Sequence, residues 1–158
     1  MIDDSDAEFH ACESKQLDWA ETNFFGFYNA EAHLNIGVYA LFRQNLGMVS
    51  SSICMISRRA LTPWDADFCG YRAALPIPEP RSLLDYRLAN SLHVRCSKPN
   101  REWNIFYDDQ EGTSIDVNYR ALMPPFDIND PEQDPMCAAG TDAGTVAPTG
   151  VAASLCIT

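Results

Sequence analysis

The chain has 158 residues, 46% of them hydrophobic and 21% charged, the make-up of one folded domain and not of a disordered chain. No apolar run approaches about twenty residues, which excludes a membrane-spanning helix. The net charge is −11, which argues against a nucleic-acid or anionic-membrane partner, since no Lys/Arg stripe exists to neutralise phosphates.

The acidity belongs to the ends. Residues 1–20 hold six acids and one Lys, residues 127–158 hold five acids and no base, and the stretch between them is nearly neutral. This predicts an acidic, solvated N-terminal arm over 1–18, a β domain over 19–126, and a linker with an irregular tail over 127–158. The opening MIDDSDAEFH has neither a basic nor an apolar signal region, so a cytoplasmic location is expected. His10 lies in the arm and is expected to be inert.

Residues 23–57 predict three strands. NFFGFY is short and aromatic. HLNIGVYALF alternates, with Leu34, Ile36, Val38, Ala40 and Phe42 on one face and His33, Asn35, Gly37, Tyr39 and Leu41 on the other. RQNLG supplies a turn. MVSSSICMIS follows, with Val49, Ile53 and Met55 on one face. Residues 58–86 carry Pro63, Pro76, Pro78 and Pro80 and predict a long excursion. At most a short strand near Phe68–Ala74 and a helical turn over Ser82–Tyr86 interrupt it.

A second three-strand meander is expected over 87–123. Leu88, Leu92 and Val94 share a face of its first strand, and Trp103, Ile105 and Tyr107 share a face of its second. Ile115, Val117, Tyr119, Ala121 and Met123 share a face of its third. The short loops imply antiparallel hairpins. The fold class is therefore mostly β: antiparallel meanders forming a partial barrel or sandwich. Six strands hardly close a barrel around a ligand, for which about eight are usual, and unclosed edges predict self-association or pairing with a missing second β domain. After Pro124 the chain turns proline-rich and acidic, and 13 of the last 23 residues are Ala, Gly or Thr. That predicts disorder or loose packing, as a truncated or frame-shifted end would produce.

Six cysteines stand at 12, 54, 69, 96, 137 and 156, with no C-x-x-C and no His at ligand spacing. Free thiols are expected, with no metal site and no cofactor. Hydrolase, nucleotide and zinc-protease motifs are absent.

WAETNFFGFYNAE at 19–31, GVYALFR at 37–43, Tyr71-Arg72, LPIP at 75–78, Tyr86-Arg87 and PEQDP at 131–135 resemble the opening of a lipocalin-like family. It includes hydroxyneurosporene synthase (carotenoid hydratase) and tocopherol-cyclase-like proteins. The resemblance covers roughly 19–136. It implies two successive lipocalin-like β domains, of which this chain supplies the first. It also implies an isoprenoid- or lipid-like partner: either a small hydrophobic molecule that is bound, or the substrate of an acid-catalysed hydratase or cyclase that needs the second domain. The His/Trp strand motif of the family's second domain is replaced here by the Ala/Gly/Thr tail.

The candidate residues follow from that chemistry. Glu21, in an aromatic cavity, would be desolvated and able to protonate an alkene; in water it is an ordinary strand-start residue. Asp67 pairs with Asp65 around Trp64 as a second acid candidate, or else belongs to a capping loop with Trp64 buried. Asn23, Phe25, Phe27, His33, Tyr39, Trp64, Trp103 and Tyr107 are the candidate ligand contacts. The aromatic ones serve equally well as core, and His33 and Tyr39 equally well as surface.

Overall fold

The computed structural model describes residues 2–12, 17–125, 127 and 152–156, the last as backbone. Two antiparallel sheets face each other. The first contains β1 (Glu21–Asn29), β2 (Leu34–Arg43), β3 (Met48–Ile56) and β4 (Phe68–Pro76), in that order. The second runs β5 (Asp85–Arg87), β6 (His93–Lys98), β7 (Glu102–Asp108), β8 (Ser114–Arg120) and β9 (Ala152–Cys156). The sheets do not close into a barrel: the molecule is an open sandwich, mostly β. Among the described residues no helix is long and apolar enough to cross a membrane.

Alternation builds the core. Ile36, Val38, Ala40 and Phe42 of β2 and Val49, Ile53 and Met55 of β3 are buried, facing Tyr86, Val94, Ile105, Tyr107, Ile115 and Val117 of the second sheet. Aromatic pairs stitch the layers, with Phe42 against Tyr86 at 5.0 Å and Phe25 against Trp103 at 5.6 Å between ring centroids. Edge-to-face and tilted rings at such distances are favoured by the ring quadrupole. Ser51 of β3 is a polar residue in this interior, fully buried.

The outer face of the first sheet carries one unusual feature. Gly26 and Gly37 lie directly opposite each other, and the ring of Phe24 roofs both. A Cβ built on Gly26 would stand 3.1 Å from that ring, and one on Gly37 3.7 Å from it. The absence of side chains there is what lets Phe24 lie down on the sheet.

Four expectations are corrected. The stretch Ser82–Tyr86 is not a helical turn; it runs into extended β5. The expected single strand through Leu88, Leu92 and Val94 is a hairpin, with Leu88 N–H donating to the Leu92 carbonyl at 2.8 Å and Ser91 at φ 69°. That is a three-residue loop closed by a left-handed residue. Strand β4 is nine residues long and ends on Pro76, which an edge strand tolerates because no partner needs its missing N–H. Strand β8 stops at Arg120, so Ala121 and Met123 lie beyond it, Met123 being exposed.

The N-terminal arm is docked on the sandwich. A 3-10 turn at Asp4–Ala7 is capped by Asp3 and Asp6 in a reciprocal box. Ala7 is buried, and the Phe9 ring stands edge-on to Phe42 at 5.3 Å. Glu8 accepts hydrogen bonds from Leu83 N–H and the Ser82 hydroxyl, at 2.5 Å each. The tail expected to be irregular lies outside the described residues except for β9, whose backbone pairs with β8.

Candidate functional site

Glu21 opens β1 on its inner face and is buried. Its Oε1 accepts from His10 N–H at 2.8 Å and lies 2.7 Å from His10 Nδ1; its Oε2 accepts from Gln44 Nε2 at 2.7 Å. His10 Nε2 lies 3.4 Å from Asp6. The imidazole thus sits between two carboxylates. Its hydrogen bond with Glu21, and then that with Asp6, hold its pKa above the ordinary histidine value. A shallow cavity of about 260 Å³ gathers Asp6, His10 and Glu21 with Asn23 and Trp103. Asn23 Nδ2 donates to the Tyr86 hydroxyl at 3.4 Å, and burial pushes that phenol's pKa up. Every carboxylate oxygen of Glu21 has a donor on it, so the group is placed to accept protons' hydrogen bonds and to anchor the arm.

A second, larger cavity of about 540 Å³ opens beside the first half of β4. In the regular part of the β3–β4 ladder Phe68, Gly70 and Arg72 fall on the inner side, opposite Met55, Ile53 and Ser51. The β5–β6 turn brings Asn90 and Ser91, β7 brings Tyr107, and the β7–β8 turn brings Asp109 and Glu111. Phe68 and Tyr107 stack at 5.8 Å, tilted by 51°. Burial and then the nearby Asp109 raise the Tyr107 phenol. Asp109 accepts from Thr113 and Glu111 N–H groups, which hold its carboxyl below the ordinary range.

Asn90 is the informative residue in this second cavity. Its Nδ2 donates to the buried Ser51 hydroxyl at 3.1 Å. Its Oδ1 is buried with no hydrogen-bond partner among the described residues. A buried acceptor left unpaired costs about 1–3 kcal/mol, and a ligand that donates to it recovers that cost.

The candidates from the sequence are spread over the molecule. Glu21, Asn23 and Trp103 meet in the smaller cavity, and Tyr107 lines the larger one. Phe25 is core, wedged between Trp103 and Tyr119, and Phe27 packs partly buried against that core. Tyr39 lies on the outer face beside Phe24, with ring centroids 6.3 Å apart. His33 is exposed at the end of the β1–β2 turn at φ 51°, within 3.4 Å of the Tyr28 hydroxyl. Asp67 is exposed and closes a turn by accepting from Ser57 N–H at 2.5 Å and the Ser57 hydroxyl at 2.9 Å. Those bonds keep its pKa low. The capping loop with a buried tryptophan is corrected: Trp64 is 92% exposed, on a short 3-10 turn at Pro63–Asp65 that is capped by Thr62 and Asp65 and buries none of its residues.

Gln44 and Asn90 went unsingled in the sequence, and His10, expected to be inert, is instead held between Glu21 and Asp6. His10 had one signal, the Asp3-x-x-Asp6 spacing that opens a capped turn and draws the arm inward. Asn90 had another, the Asn-Ser pair inside LANSL, which is turn chemistry within an alternating run. No family model, no curated protein and no solved structure matches this chain.

Proposed function

We propose that this is a ligand-binding β domain whose ligand is a small isoprenoid- or lipid-like molecule bearing a hydroxyl. The observation that carries the reading is the unpaired, buried Asn90 Oδ1 in a residue lining a cavity of about 540 Å³. A turn of the Asn90 side chain brings that oxygen to the cavity wall, where the ligand hydroxyl donates to it, while the apolar body lies on the Phe68–Tyr107 pair and Arg72 at the rim favours a polar or anionic end. Such pockets orient a mostly apolar ligand with a few placed polar groups. The lipocalin-like resemblance supports the same class of partner.

Farnesol serves as the probe. Titration followed by calorimetry is expected to show saturable one-to-one binding to the wild-type chain. Asn90→Leu removes the polar anchor. Gly70→Val puts branched carbon where a Cβ alone already meets the Phe68 ring at 3.1 Å and the Tyr107 hydroxyl at 3.5 Å. Both variants are expected to weaken binding by tenfold or more, about 1.4 kcal/mol each. Unsaturable uptake, or equal affinity in all three proteins, overturns the reading.

A second reading, an acid-catalysed hydratase or cyclase, has one observation in its favour: His10 between Glu21 and Asp6 beside Asn23 and Trp103. In that arrangement the proton donor is the His10 imidazolium, with Glu21 orienting it. Turnover of an isoprenoid alkene that disappears in His10→Gln is its test. Among the described residues no further strand covers the β1 or β4 edge, so pairing with a second copy or a second β domain belongs to the same proposal. Light scattering across a dilution series reads it: a mass that stays at one chain overturns self-pairing.

A further inference from the structure

Cys54 and Cys69 occupy directly opposed positions of β3 and β4. They face away from the core, on the side carrying Ser52 and Tyr71 in the adjacent row. Both are free thiols, and they hydrogen-bond to each other. Facing residues of an antiparallel pair have Cα atoms about 4.5–5.5 Å apart, inside the roughly 4.4–6.8 Å window of disulfides. On the next strand the same row holds Gly37, so no side chain stands beside Cys54 there. We infer that Cys54 and Cys69 form a reversible dithiol–disulfide site on the outer face of the sandwich, oxidised by glutathione disulfide.

The two thiols differ in a way that orders the steps. Cys69 is exposed on the edge strand, whereas Cys54 is half-buried. Burial, and then the neighbouring Cys69, raise the Cys54 thiol's pKa. A bulky disulfide reagent therefore reaches Cys69 first. The Cys69 thiolate attacks one sulfur of glutathione disulfide, forming a mixed disulfide and releasing one glutathione thiolate. Cys54 then gives its proton to solvent and attacks Cys69 Sγ, closing the protein disulfide and releasing the second glutathione. Two protein thiols are oxidised and one glutathione disulfide is reduced to two thiols. The new bond ties the edge strand β4 to β3 immediately behind Phe68 and Gly70.

The test equilibrates the full chain in glutathione buffers of graded poise, quenches with iodoacetamide and maps the peptides by mass. In the wild type the expected product is a Cys54–Cys69 cross-linked peptide that has lost two hydrogens. The Cys69–glutathione adduct should stand at no more than about a tenth of it, because ring closure is intramolecular. Cys54→Ser is expected to stop at the Cys69 adduct, and Cys69→Ser to leave Cys54 alkylated. The inference is overturned if wild-type Cys54 and Cys69 carry separate adducts, or if both stay alkylated while glutathione modifies other cysteines. A circular dichroism spectrum matching wild type confirms that each serine variant is folded, and the wild-type map decides the matter without them.

Discussion

The two cavities differ in how their polar atoms are used. Around Glu21 the carboxylate has a donor on each oxygen, His10 is held between two acids, and the arm is drawn down onto the sheet. Around Asn90 the amide is anchored by one bond to Ser51 while its oxygen has no partner among the described residues. A closed network of this kind fixes structure, and an incomplete one leaves room for a guest. One hollow is a closed latch and the other an incomplete network, although both look like polar hollows at the margin of an apolar core.

Changes beneath the latch should cost most. Phe42 is fully buried and touches both Phe9 of the arm and Tyr86 of the second sheet. Phe42→Ala is expected to lower unfolding stability by about 3–5 kcal/mol in a urea titration. Glu21→Ala comes next: it strands the donors of His10 and Gln44, and a loss of about 1–3 kcal/mol is expected. Asn90→Leu should be close to neutral, within about 1 kcal/mol, because deleting an unpaired acceptor offsets the loss of Ser51's partner. If Asn90→Leu proves as costly as Glu21→Ala, the distinction between the two cavities fails.

The smallest effect is the pH response of the arm, and its sign follows from two groups. Hydrogen bonds from Ser82 and Leu83 outweigh burial and depress the Glu8 pKa. Its contribution is present above the ordinary Glu value and is lost as pH falls through the depressed one. The His10 pKa is raised by Glu21 and Asp6. Its contribution is complete below the ordinary His value and is lost as pH rises through the raised one. The arm should therefore be held most firmly at roughly pH 4.5 to 6.5, loosening on either side. Amide exchange at His10, whose N–H is donated to Glu21, is the readout. Because the imidazole is half exposed, the change should be modest. An arm that loosens toward pH 5 would contradict this.

Much of the scaffold was legible because alternation over β2, β3, β7 and β8 is local and strict. The β5–β6 hairpin was hidden by its own geometry. Leu88 and Leu92 flank a three-residue loop, so the period of two runs straight through the turn and mimics one strand. Strand β4 was obscured by prolines that an edge position tolerates. The candidate site was less legible, for a different reason. Glu21 and Asn23 show on the strand pattern, but His10 and Gln44 meet them across 11 and 23 residues of chain, and no periodicity reports such meetings. Asn90 depends on Ser51, 39 residues away, and Cys54 on Cys69 through the β3–β4 pairing register.

The Phe24 roof has a practical consequence for anyone redesigning this surface. With 66% of it exposed, Phe24 looks like the first residue to replace with a charged one for better solubility. That replacement would uncover the paired backbones of Gly26 and Gly37, which have no side chains of their own to shed water. A more hydrophilic exterior would then come with a weaker β1–β2 pairing, and the gain in solubility would be drawn from the stability of the sheet itself.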